Sequence, residues 1–236
     1  MDFDKKIEFD NLLIYCSDGL FEFSNEFIQH FNANIDNIRR ILGIANNKKL
    51  IIALTDDENL AGYIYGKSSF SGFFNDTGCF AYINLFGDKN KEYMFRGIMH
   101  ELIHHLYKYY VYGKDKQRIT WVDEGLAQLL SGQKQELENN DNYMLFLREN
   151  LKNKDNSIDL NKLNHEDRSF GNNNGYNLSY IAIRHIYENS KLSDFIEIIN
   201  DSDKLIKIGS SIVQEVNDFY FESEKQKTEK KCTISI

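Results

Sequence analysis

Apolar residues along this chain keep two rhythms: short dense runs of strand length come first, and a helical period takes over later. Residues 7–16 (IEFDNLLIYC) are rich in β-formers and end at the turn triplet SDG, which predicts a strand. From Phe21 to Leu42, the positions Phe23, Phe27, Phe31, Ile35, Ile38, Ile41 and Leu42 recur at helical spacing, with Gly43 placed to end the helix. The run KKLIIALT has the length and apolarity of a buried strand. Residues 62–86 carry turn signals at SSFSG and NDTG, followed by CFAYINLF as a further strand. The sum is β-α-β-β, a small mixed sheet with one long helix.

From about Lys91 the pattern is helical, over 91–111, 121–131, 141–151, 176–189, 191–200 and 210–223. The fold class expected is therefore α+β, with a sheet-bearing N-terminal lobe over 1–113 and a helical C-terminal lobe over 114–222. Residues 223–236 are dense in charge and read as a mobile tail. The Asn-rich patches at 139–142 and 172–174 read as polar loops.

Composition narrows the function classes. The 236 residues hold 28 Lys and Arg against 36 Asp and Glu, a net charge of -8. Such a chain repels phosphate backbones on average, so no nucleic-acid partner is expected. No apolar run approaches the ~20 residues of a membrane-spanning helix, so no membrane partner is expected either. The three cysteines, Cys16, Cys79 and Cys232, are scattered without a CxxC, which offers neither a thiolate zinc site nor a disulfide framework. MDFDKKIEFDN lacks an apolar signal region, so the expectation is a cytoplasmic protein, or a secreted one if a leader has been removed.

The chemistry is concentrated in GIMHELIHHLYKYY, which contains His100-Glu-Leu-Ile-His104. Residues i and i+4 share a helix face, so both imidazoles can address one metal ion. Glu101 lies beside them, placed to reach a metal-bound water without ligating. A two-histidine site needs a third protein ligand, and a carboxylate leaves one position open for water. Glu124, in Thr120-Trp-Val-Asp-Glu-Gly-Leu-Ala-Gln128, is one turn and one helix further on and is the candidate. Thr120 with Asp123 makes a capping-box signal that would put Glu124 in a first helical turn. Trp121 reads as core. His105 sits about 100° around the helix from His104 and reads as a packing or surface residue. His30, His165 and His185 receive no role.

HELIHHLY followed by TWVDEGLAQLL resembles the gluzincin metallopeptidases, in particular the peptidase MA-like family with its HExxH and WxxEGLA motifs. GYNLSYIAIRHIYENSKLSDFIEIIN is similar to that family's downstream helix pair. The resemblance covers most of residues 7–222. It implies a zincin-like fold, with an upper α/β lobe, the HExxH helix along the cleft floor and a helical lower lobe. It also implies His100, His104 and Glu124 as ligands of one Zn2+ per chain, and Glu101 as general base. Relatives often add a Tyr or His that donates to the oxyanion; Tyr180 is the first candidate here and Tyr176 the second. Where relatives carry a carboxylate that orients the first histidine, this chain has Gln128, whose amide oxygen accepts more weakly. The resemblance also suggests residues 79–86 as the edge strand that pairs with an extended substrate, and Thr120 stands where the family has proline.

The function expected is a zinc-dependent metallopeptidase, an endopeptidase since no GxMEN-like signature is present, acting on a peptide or protein substrate. The alternatives are a catalytically weak zinc-bound binding module, or a metal hydrolase acting on a non-peptide amide or ester. The ligand types would also accept cobalt, manganese or iron. The polar segment 133–175 is placed to shape the substrate wall.

Overall fold

The short apolar, β-former-rich runs that come first along the chain make a five-stranded sheet in the computed structural model, which describes residues 3–45, 49–57, 70–87, 89–113, 115–151 and 158–222. The tail at 223–236, with Cys232, lies outside the described residues. The strands are β1 (Lys5–Phe9), β2 (Leu12–Cys16), β3 (Leu50–Thr55), β4 (Phe70–Phe74) and β5 (Cys79–Ile83), in the order β1-β2-β3-β5-β4. β2, β3 and β5 run parallel, and β1 and β4 flank them antiparallel, so the sheet is mixed.

Within the sheet, two sequence expectations change; elsewhere, the Asn-rich patches expected as loops overlap helices, which span Asn140–Leu151 and Ser169–Asn172. The single strand over 7–16 is a hairpin in which Phe9 pairs with Leu12 across Asp10-Asn11, with Asp10 at φ 44°. A short acid or amide side chain tolerates that left-handed backbone, which is how a two-residue turn closes inside an apolar run. Part of the SSFSG turn signal is likewise strand: residues 70–72 belong to β4, while 68 and 69 lie outside the described residues. NDTG is a turn as expected, with Asn75 Oδ1 accepting from Thr77 and Gly78 backbone N–H groups at 2.9 and 3.2 Å.

The chain divides into two units. The first, Met1–Lys116 with Leu130–Gln133, is built on the sheet. Leu12, Ile14, Leu50, Ile52, Leu54, Cys79, Ala81 and Ile83 are buried and share one sheet face by register. Helix α1 (Phe21–Leu42) lays the predicted stripe of Phe23, Phe27, Phe31, Ile35 and Ile38 against this core. It ends where expected, at Gly43 in the left-handed conformation (φ 71°). Helix α2 (Lys91–Leu106) packs on β4 and β5 and runs on into a π-helical turn, Tyr107–Tyr112.

The second unit, Gln117–Leu129 with Lys134–Ile236, is helical. Its helices are α3 (Thr120–Leu130), α4 (Asn140–Leu151), α5 (Ser169–Asn172), α6 (Gly175–Glu188), α7 (Leu192–Asn200), α8 (Ser202–Gly209) and α9 (Ile212–Asn217). α5 and α8 are additional to the elements expected. α8 is short, and its start is set by Asp201, whose carboxylate accepts from Asp203 and Lys204 N–H at 3.0 and 3.1 Å. α6 is the hub, packed by α4, α5, α7 and α9. Gly125 lets α3 and α6 meet: a Cβ there would fall 2.5 Å from Ser179 O and from Ile183 Cγ1. Trp121 is fully buried, with Nε1 donating to Asn161 Oδ1 at 3.1 Å.

Burial pulls the His185 imidazole below its ordinary pKa of 6.5 against the attraction of Glu215 and Glu188, and does the same at His30 against Glu92. The unfolded chain takes up these protons near 6.5, where the folded chain resists them. Unfolding free energy should therefore be level above pH 6.5 and fall as pH drops from there toward the folded-state values. Urea unfolding midpoints between pH 8 and 5 check this, with a shallower fall expected in a His185→Gln variant.

Candidate metal centre

α2 begins at Asn90, whose side chain accepts from Tyr93 N–H at 2.9 Å. One helical turn separates His100 from His104, and their Nε2 atoms stand 2.9 Å apart with the rings at 89° to one another. With a proton between them this is a hydrogen bond; with both nitrogens bare, two lone pairs converge on a place that suits a cation. His104 stacks on the ring of Phe74 of β4, with centroids 5.1 Å apart, which fixes its plane. Glu101 passes over Gly72 of β4, where an added Cβ would lie 2.6 Å from Glu101 Cγ. Gly97, one turn earlier, receives the ring of Phe70 in the same way.

His105 is buried. Its Nδ1 meets the backbone oxygen of Asn75 at 2.7 Å, which ties α2 to the β4–β5 turn. Burial holds its pKa down, partly offset by that hydrogen bond and by Asp76. The packing role expected of it is thus given a specific partner.

Glu124 lies buried in the first turns of α3. Its Oε1 accepts from Arg118 Nη2 at 2.9 Å and meets His165 Nε2 at 3.1 Å. Arg118 also pairs with Asp123, which is itself buried. Asp123, expected as a cap, is therefore an ion-pair partner. Burial alone would lower the pKa of the Arg118 guanidinium, but the charges of Asp123 and Glu124 outweigh it and hold the group above its ordinary value. Neither Arg118 nor His165 carried a sequence signal. His165 is 41 positions from Glu124 in a segment without regular structure, and Arg118 precedes the helix that its charge anchors.

Several expectations shift here. Tyr180 is buried on the α4 side of α6, its ring edge-on to Tyr143 and Phe146 and its hydroxyl accepting from Arg184 Nη1 at 3.2 Å. It is a packed member of an aromatic cluster, and burial raises its pKa. Tyr176, the second candidate, is 45% exposed, and its ring lies 5.7 Å from that of His165. The Gln128 amide nitrogen donates to Tyr176 O at 2.8 Å, so this end of the side chain braces α6. The strand at 79–86 is not an edge: β5 spans Cys79–Ile83 and lies between β3 and β4. Among the described residues, the last strand on the side of α2 is β4.

His100, His104 and Glu124 make a group that could hold a metal ion, each offering one ligand atom, with these atoms all within 4.8 Å of one another. The donor set, two imidazoles and one carboxylate, fits a divalent transition metal with a position left for water.

The fit of Glu101 over Gly72 gives a prediction independent of any activity. Gly72→Ala should lower the unfolding free energy by about 1–3 kcal/mol, the usual cost of overpacking. In a Glu101→Ala background the same substitution should cost measurably less, because of the two side chains it strikes, Glu101 and Phe70, the nearer one is gone. Urea denaturation of the four members of that cycle reads the difference. No protein-family model matches the chain, and no curated protein matches it.

Proposed function

We propose that this protein is a zinc-dependent metallopeptidase of gluzincin type, with a zincin-like arrangement of its elements. The grouping of His100, His104 and Glu124 supports this reading most directly. The HELIH and WVDEGLA motifs that supply the three residues agree with it.

In this reading His100, His104 and Glu124 hold the zinc, which when bound lowers the pKa of a water molecule to about 7 and polarises a carbonyl. Glu101 acts as general base: its carboxylate takes a proton from the attacking water and returns it to the leaving amine. Gly72 supports that role by letting the Glu101 side chain lie against β4. Tyr176 replaces Tyr180 as the candidate hydrogen-bond donor to the oxyanion, because it is partly exposed and adjoins His165, which meets Glu124. An extended peptide would add to the sheet at β4, the strand that touches α2.

Metal analysis of untagged protein dialysed without chelator should find about one zinc per chain, and His104→Ala should lose it. Folded wild-type protein that neither carries nor takes up zinc would end the assignment. Glu101→Gln should keep the metal and the fold while peptide hydrolysis falls to background, by about 100-fold or more. Peptide-library turnover measured by mass spectrometry checks this, and an ester panel run in parallel separates peptidase action from ester hydrolysis.

A further inference from the structure

We propose that Arg118 is a positioning residue that fixes the Glu124 carboxylate for metal binding; the inference rests on the reading of His100, His104 and Glu124 as the metal ligands. Three observations carry it. Arg118 Nη2 and His165 Nε2 both meet the same oxygen of Glu124, Oε1, at 2.9 and 3.1 Å. Two contacts on one oxygen set the rotation of a carboxylate about its last torsion, which is the freedom a ligand must lose on binding. The guanidinium is also held from its other side, since Arg118 Nε pairs with the buried Asp123. Arg118 thus does not depend on Glu124 for its own place.

Charge decides the sign of the effect. A lone guanidinium on a ligand carboxylate would compete with a dication. Here Asp123 neutralises Arg118, so the pair presents hydrogen-bond donors to Glu124 with little net charge. Counted by formal charge, Arg118, Asp123 and Glu124 together sum to one negative charge, which favours a cation. The planar fork matters as well, because it reaches Asp123 through Nε and Glu124 through Nη2 at once, and an ammonium cannot span both in that geometry.

The test is cobalt binding to the full chain, read as affinity by chelator competition and as the visible absorption of the bound ion, which follows ligand geometry. Arg118→Met should bind cobalt about 10–100-fold more weakly and with a changed spectrum, the range usual for losing a partner of a metal ligand. Arg118→Lys should recover part of the affinity. Asp123→Asn, which frees the far side of the guanidinium, should weaken binding in the same direction. If Arg118→Met fails to fold by circular dichroism, the Lys and Asn variants carry the test. Wild-type affinity and spectrum in the folded variants, or tighter binding, would overturn the inference and leave the metal site standing. Absence of cobalt binding in wild-type protein would instead remove the site itself, and the inference with it.

Discussion

The first unit depends on the seam between α2 and β4, where a strand and a helix are matched residue to residue. Phe70, Gly72 and Phe74 face the same side of β4, two residues apart. They meet Gly97, Glu101 and His104 of α2, four and then three apart. Two strand residues advance about 6.6–6.8 Å, and three or four helical residues about 4.5–6 Å, so the two periods stay nearly in step over this length. Large and small residues alternate across it: a ring over a glycine, a glycine under a carboxylate, a ring on an imidazole. Glu101 and His104 are therefore held by the same contact that covers the sheet.

The second unit holds its own charged residue by a different device. Gly125 brings α3 close onto Ser179 O and the Ile183 side chain of α6, and the buried Asp123 and Glu124 are set beside Arg118. Two adjacent acids in a dry setting would be costly without a cation. Arg118 answers both, and His165 adds a second contact on Glu124. The carboxylate is kept oriented by residues from two separate stretches of the unit, one just before α3 and one between α4 and α5.

How much of this the chain's letters disclose depends on how local the cause is. α1 is legible because its stripe runs six turns and closes on Gly43, and both signals act within the helix itself. HELIH is legible because i and i+4 is a property of any helix. The β1–β2 hairpin is hidden because Asp10 and Asn11 sit in an apolar run whose propensity speaks for one strand, and only pairing shows the reversal. The placement of β5 inside the sheet is hidden for the same reason: strand order is a long-range fact. Tyr180 and Tyr176 cannot be told apart by type. They differ by one turn along α6: Tyr176 stands near its start, beside the His165 and Phe170 rings, and Tyr180 one turn on packs against the Tyr143 and Phe146 rings. Arg118 and His165 leave no periodic trace at all.

The chain has one tryptophan, and its position gives the molecule a built-in optical probe. Trp121 sits on α3 three residues before Glu124, fully buried, with its indole N–H held by Asn161, which in turn donates to Ile206 O at 2.7 Å. Gly209 approaches the same indole nitrogen. Emission excited selectively at the indole therefore comes from one environment, in which α3, the turn at 160–162 and α8 are joined through a single polar link. A shift in its wavelength reports on the packing of those three elements of the helical unit, without an added label.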